Sequence, residues 1–268
     1  MLIAIIVILA LALLYLFCIH GRTGHPGLKS LAGWFYAHRG LHDAQRPENS
    51  MSAFRAALEN GFGIELDVHL LADGNLAVMH DSSLKRTAGA DITMEELTTE
   101  DLSRYRLGDT EETIPTFRQV LDLFDGKAPL IVELKSVNNN YAALTDAACR
   151  MLAEYNGAYC VESFDPRCVL HLKKHYPHLV RGQLAENFFR STGAIPAVLK
   201  FILTNHLGNF ITRPDFIAYK YDDRKNLGTF LARRVMGLQG VSWTIRTKED
   251  FDTAVKEGWL AIFEGFLP

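Results

Sequence analysis

Alternation constrains this chain more than any other feature. Short apolar runs at residues 34–38, 64–70, 76–80, 130–134, 158–163, 180–184, 216–219, 240–245 and 260–263 read as strands, and stretches such as 51–60, 141–155, 166–175 and 248–257 carry helical spacing between them. Strand–helix–strand order favours a parallel sheet, because each helix must return the chain to the end where the previous strand began. One connection breaks the order. Leu71-Ala72-Asp73-Gly74-Asn75 is too short for a helix, and its central Asp-Gly is a hairpin turn signal that predicts Ala72 opposite Asn75 and Asp67 opposite His80. Setting the returning arm aside leaves eight strands, the count of a (β/α)8 barrel, and residues 31–268 match the ~250 residues of such a barrel. The expected class is therefore α/β, a TIM barrel with a β-hairpin insertion.

Residues 1–19 precede this pattern without a single charge. At ~1.5 Å per helical residue they reach roughly 28 Å, close to the hydrocarbon thickness of a bilayer. No Lys or Arg comes before the run, and Phe17-Cys18-Ile19-His20 lacks the small residues of a cleavage site, so the segment reads as one transmembrane anchor in preference to a cleaved signal or a core helix. Arg22 and Lys29 on its C-terminal flank lean toward a cytoplasmic catalytic domain. Residues 20–30, rich in glycine, read as a linker.

Composition removes several alternatives. With 28 Lys+Arg against 31 Asp+Glu and a net charge of −3, the chain has no basic excess to neutralise nucleic-acid phosphates. Its four cysteines, Cys18, Cys149, Cys160 and Cys168, have neither zinc-ligand spacing nor the look of a disulfide framework.

The chemistry collects at strand ends. In Ile64-Glu65-Leu66-Asp67-Val68, the period of a strand puts both carboxylates on one face and the apolar residues on the other. If the apolar face meets the outer helices, Glu65 and Asp67 point into the barrel mouth, where two unpaired anions are costly to desolvate and a cation belongs between them. Glu133 and Lys135 repeat the pattern after Leu130-Ile131-Val132. Three carboxylates and no cysteine suggest one hard divalent cation, Mg²⁺ or Ca²⁺.

His38 and Arg39 follow the first strand, and His80 ends the hairpin arm. Two histidines at a barrel mouth can divide proton transfer, one taking a proton from an attacking oxygen and the other giving one to a leaving group. Arg39 and Lys135 can hold a phosphoryl oxygen. His69 shares the register of Asp67 and is the histidine most easily mistaken for a functional one.

Together Ala37-His38-Arg39-Gly40, Pro47-Glu48-Asn49-Ser50, Ile64-Glu65-Leu66-Asp67-Val68, Asp73-Gly74, Val78-Met79-His80-Asp81, Leu84-Lys85-Arg86-Thr87-Ala88-Gly89, Val132-Glu133-Leu134-Lys135 and Glu162-Ser163-Phe164 resemble the ordered motifs of the glycerophosphodiester phosphodiesterase family. The resemblance continues more loosely to Val241-Ser242-Trp243-Thr244-Ile245. It implies a (β/α)8 barrel that hydrolyses glycerophosphodiesters to glycerol 3-phosphate and an alcohol. It further implies His38 and His80 as acid and base, Glu65, Asp67 and Glu133 as metal ligands, and Arg39 and Lys135 as phosphate contacts. Residues 81–126 would correspond to the family's small cap, with Glu95, Glu96, Glu100 and Asp101 read as a solvated helix face.

Two positions depart from the family pattern. Arg246 stands where the family usually has Asn, and Glu264-Gly265 replaces its closing Thr-Asp. Residues 187–213 are the least family-like and are apolar around 195–203, which suits either a barrel helix with an extended loop or an interfacial helix at the membrane. A lysophospholipid substrate is thus an alternative to a water-soluble glycerophosphodiester. A catalytically silent membrane scaffold would need a broken site, and all seven proposed residues are present.

Overall fold

The computed structural model describes residues 1–191 and 195–268. Eight parallel strands close into a barrel: β1 (Tyr36–His38), β2 (Gly63–Leu70), β4 (Leu130–Leu134), β5 (Tyr159–Ser163), β6 (Arg181–Ala185), β7 (Phe216–Lys220), β8 (Gln239–Ile245) and β9 (Trp259–Phe263). β1 closes the ring, since Ala37 pairs with Ile64 on one side and with Phe263 on the other. The expected TIM barrel is present, and β3 (Leu76–Val78) extends it as an antiparallel arm on β2.

Local chemistry starts the helices. Ser50 accepts from the Ala53 amide at the head of Met51–Glu59. Thr116 and Gln119 form a reciprocal capping box at Phe117–Phe124, and Asp165 caps Pro166–His175 with proline in its first turn. The helices pack on the outward faces of the strands. Ile64, Leu66 and Val68 enter that outer core with Phe54, Phe117 and Phe124, while Tyr36, Ile131, Cys160, Phe216 and Val241 form a second cluster that Leu31 joins. Alternation along β2 therefore sends its carboxylates inward, as the sequence pattern requires.

The hairpin register differs by one residue from the sequence expectation. Leu71, and not Ala72, faces Asn75, and Val68 pairs with Val78, so Asp67 lies opposite Met79, whose amide donates to its carbonyl at 3.1 Å. The cause is a three-residue loop. Gly74 takes φ +82° and donates to the Leu71 carbonyl at 3.0 Å, which gives a turn with a left-handed final residue instead of a two-residue turn. Because β3 ends at Val78, His80 escapes the strand alternation that would otherwise decide its face.

The cap also differs. Phe117–Phe124 belongs to the barrel's helical layer, while Leu84, Met94, Leu97, Leu102, Leu107 and Ile114 form a small core of their own against the hairpin. The acidic residues do not form a helix face. Glu96 and Asp101 close capping boxes with Thr93 and Thr98 on two 3-10 turns, and Glu95 bonds His69 and Ser82.

Residues 20–31 are packed against the barrel. Arg22 pairs with buried Asp215, its Nη2 2.7 Å from Oδ2, and the short helix Leu28–Leu31 places Leu31 in the cluster with Tyr36. The apolar stretch after β6 forms the helices Ala197–Thr204 and Asn209–Thr212, while residues 192–194 within it lie outside the described residues.

Candidate active site

Barrel closure brings all seven residues singled out in the sequence to one mouth. Register sets Glu65 beside His38, Asp67 beside Glu133, and Glu133 beside Glu162 on the next strand. One oxygen each from Glu65, Asp67 and Glu133 falls within 4.8 Å of the others. Two ligands at ~2.0–2.6 Å from a common Mg²⁺ or Ca²⁺ ion span about this distance, so the oxygen set fits one hard cation.

The protein's own cations reach into the cluster. Lys135 Nζ lies 2.9 Å from Asp67 Oδ1 and 2.8 Å from Glu133 Oε1. Arg39 Nε lies 3.5 Å from Asp67 Oδ2, and its Nη1 donates to Glu48 at 2.9 Å. Buried Asn49 donates to Asp67 Oδ2 at 2.9 Å. Burial pushes the Asp67 carboxyl up, yet Lys135, His80 and Arg39 together hold it well below the ordinary range. Glu65 has the opposite balance. Burial, then the charges of Asp67 and Glu133, raise its carboxyl well above the usual value. Glu133 is pushed up to about 7, first by burial, although Lys135 opposes the shift. With all its carboxyls ionised the site would hold more negative charge than its two cations neutralise, an excess that a bound metal would offset.

Both histidines are held through Nδ1. His38 Nδ1 lies 2.6 Å from Glu264 Oε2, with its Nε2 3.9 Å from Glu65. His80 Nδ1 lies 2.7 Å from Asp81 Oδ1. A carboxylate at Nδ1 keeps the proton on that nitrogen and leaves Nε2 as the free base. Burial lowers both imidazoles, His80 to about 4 with Lys135 and Arg39 adding to the effect, so both are neutral at neutral pH. His38, Arg39, Glu65, His80 and Glu133 line one small cavity, and Trp243 and Phe164 form part of its wall. Among the described residues, Arg39 Nε, Glu162 Oε2 and Trp243 Nε1 are buried there without a hydrogen-bond partner, as expected of a pocket built for a polar ligand. A wider vestibule of about 590 Å³ adjoins it and shares His80, Glu133 and Phe164.

Three of these residues had no role in the sequence reading. Glu162 is the fourth buried acid, raised well above its usual value by burial and then by Glu133. Its signal was present, because alternation puts it on the face of Cys160, inside the barrel. Asn49 lay within a quoted motif. Glu264, noted only as a departure, turns out to hold His38. His69, by contrast, is buried and bonded to Glu95, and its other ring nitrogen meets the His80 carbonyl at 3.3 Å.

The chain is thus a (β/α)8 protein with a buried, acid-lined site at the mouth of its barrel. The sequence model of the glycerophosphoryl diester phosphodiesterase family matches residues 38–264, and the chain belongs to that family. Hydrolysis of glycerophosphodiesters follows from that membership. The chain is 30% identical over 233 residues to the glycerophosphodiester phosphodiesterase of Caldanaerobacter subterraneus subsp. tengcongensis, covering 83% of this chain and 89% of that protein. It is 28% identical over 251 residues to glycerophosphodiester phosphodiesterase 1 of Bos taurus, covering 80% and 72%. In fold it resembles an Oleispira antarctica phosphodiesterase solved in complex with the product sn-glycerol-3-phosphate, with a TM-score of 0.72 at 20% identity over 91% of this chain and 95% of the other.

Proposed function

We propose that Glu65, Asp67 and Glu133 hold one divalent cation, Mg²⁺ or Ca²⁺, that Arg39 and Lys135 bind phosphoryl oxygens, and that His38 and His80 move the protons of glycerophosphodiester hydrolysis. The observation that carries this reading is the convergence of two carboxylate-tethered imidazoles on the cavity lined by the acid cluster. A bound cation would supply Lewis-acid charge at a non-bridging phosphoryl oxygen. Arg39 and Lys135 add fixed positive charge where the transition state becomes more negative. One neutral imidazole accepts the proton of the nucleophile as its oxygen bonds to phosphorus; the nucleophile is either water, which completes hydrolysis directly, or the glycerol 2-hydroxyl, which gives a cyclic phosphate that a water molecule then opens to glycerol 3-phosphate. The other imidazole takes up a proton as the anionic phosphodiester binds beside it, and gives that proton to the departing alkoxide as the phosphorus–oxygen bond to the head group breaks. A release assay across glycerophosphodiesters, run with and without chelator, tests reaction and metal together. Full turnover in excess chelator would remove the cation from the mechanism.

A second substrate reading rests on a specific cavity. Between Pro166–His175 and Ala197–Thr204 lies an apolar pocket of about 250 Å³ lined by Leu170, Leu184, Leu199, Ile202, Leu203 and Ile211. It shares Pro166, Arg167 and Leu199 with the vestibule, so an acyl chain has an apolar path beside the catalytic centre. A lysophospholipid fits this arrangement. Comparing lysophosphatidylcholine with glycerophosphocholine as substrates separates the two readings.

Residues 1–19 act in this proposal as a single-pass anchor, with the barrel of residues 31–268 on the cytoplasmic side. The helix Leu2–Ile19 is long and apolar enough to cross a membrane. Support for its retention comes from Ile19, which is buried in the domain and whose carbonyl accepts from Asn209 at 3.1 Å.

A further inference from the structure

The apolar helix is tied to the barrel wall at one end only. Ile19 is buried with Ile217, Ala232 and Leu238, the Phe17 ring packs 5.7 Å from that of Phe210, and Tyr15 joins the same cluster. Residues 2–14 are all exposed. The docked residues also give the direction of the helix. Ile217 and Leu238 lie at the starts of β7 and β8, the closed end of the barrel, whereas the Tyr15 hydroxyl lies beside Gly228, in the first turn of the helix that begins beyond the mouth end of β7. From Ile19 to Tyr15 the helix therefore climbs toward the catalytic mouth. The thirteen residues before Tyr15 that follow Met1 continue on this line for ~20 Å.

The barrel surface beside this helix is apolar at the same end. Leu227 and Phe230, on the short helix that carries Gly228, are 64% and 55% exposed. Val198 and Phe201, on the helix that follows the mouth end of β6, are 73% and 52% exposed. Lys225, two residues before Leu227, is also exposed, and a cation beside an apolar patch suits the phosphates of a lipid surface. Single exposed apolar residues are ordinary on a protein surface, but a group continuous with a membrane-length helix points to lipid.

We propose that the docked helix holds the barrel with its catalytic mouth facing the bilayer, and that Val198, Phe201, Leu227 and Phe230 enter the membrane interface around it. The inference rests on the reading of residues 1–19 as a membrane anchor, with residues 2–14 as the part that enters lipid. Its occupant is the lipid surface, and its consequence is that a phosphodiester carried by a lipid reaches the vestibule from the leaflet without crossing water. The packed contacts of residues 15–22 leave no free spacer through which the barrel can turn away.

Bimane fluorescence in the full-length protein tests the orientation. Cys149, Cys160 and Cys168 are buried, so with Cys18→Ser a label attaches at an introduced site alone. Leu227→Cys and Phe230→Cys place it at the mouth rim, and Lys127→Cys places it before β4 at the opposite end. In phosphatidylcholine vesicles with brominated acyl chains, loss of emission is expected at 227 and 230 and not at 127. Unquenched labels at 227 and 230, or quenching at 127 instead, in protein that still resists carbonate extraction would overturn the orientation and leave the span standing. Release by carbonate would overturn the span and the inference with it. In a functional arm, Leu227→Glu with Phe230→Glu should lower kcat/KM on lysophosphatidylcholine in vesicles and leave turnover of dissolved glycerophosphocholine unchanged, a rate that also reports folding. An equal rate on the vesicle substrate would count against the proposal.

Discussion

The Nδ1 atom of His38 lies 2.6 Å from Glu264 Oε2, and the Arg246 guanidinium reaches the same oxygen at 3.2 Å. The two positions where this chain departs from the family pattern are therefore in contact with each other, and one of them, Glu264, holds a proposed proton-transfer histidine. Glu264→Ala removes the acceptor that fixes the His38 tautomer, so kcat should fall with little change in KM. The loss should stay below the ~10²–10⁴-fold cost of removing a general acid or base outright. Glu264→Gln, which keeps an acceptor oxygen, should recover part of the rate. Steady-state kinetics on glycerophosphocholine checks both variants.

The same pair makes stability depend on pH. The hydrogen bond from His38 is the main reason that the Glu264 carboxyl is lowered to about 2. A carboxyl whose folded value lies below its unfolded value of ~4.3 contributes stability above that pH and loses it as pH falls toward the folded value. Between about pH 4 and about pH 2, the Tm of the parent protein should fall more steeply than that of Glu264→Gln. Parallel melting curves would show that the pair does not contribute.

Replacing either imidazole should abolish most turnover while sparing the fold. His38→Ala and His80→Ala are each expected to lower kcat by ~10²–10⁴-fold. Thermal melts and rates measured side by side decide the matter, and a near-normal rate in either variant would remove that histidine from the mechanism.

Metal affinity should rise with pH. Glu133 is pushed up to about 7 and Glu65 lies well above its ordinary value, so a cation must displace protons from the site below neutrality. Calorimetric titration with Mg²⁺ or Ca²⁺ should show binding that tightens up to about pH 7, with proton release that depends on the buffer. Glu65→Gln, Asp67→Asn and Glu133→Gln should each raise the metal concentration needed for half-maximal activity.

The position of an N-terminal truncation should matter. A chain beginning at Cys18 keeps Ile19 in its cluster and Arg22 on Asp215, and should fold, stay soluble and hydrolyse dissolved glycerophosphodiesters. A chain beginning at Leu31 leaves the Asp215 carboxylate buried without its guanidinium, at a cost of roughly 1–3 kcal/mol. Its Tm should be measurably lower. Equal melting temperatures would mean that residues 18–30 add nothing to the barrel.

Much of this protein was legible in its residue order. Strand period alone separates Glu65 and Asp67 from Ile64, Leu66 and Val68, and the same rule applied to β5 marks Glu162. Eight strands were countable because each is a short apolar run between helical segments. The hairpin register was not legible, since it turned on whether Gly74 closes a loop of two residues or three. That choice depends on the left-handed backbone of Gly74 and on how Asp73 receives the amides of Asn75 and Thr99.

The role of Glu264 belongs to the tertiary structure. It lies 226 residues from His38 in the chain, and the two meet only because β9 pairs with β1 when the barrel closes. The docking of Ile19 on Ile217 and Leu238 is of the same kind. Periodicity is a property of the backbone, acts over a few residues, and therefore determines which face each side chain takes. Which face meets which is determined by strand order around the closed ring, where packing and hydrogen bonding across the whole chain compete, and no local spacing carries that information.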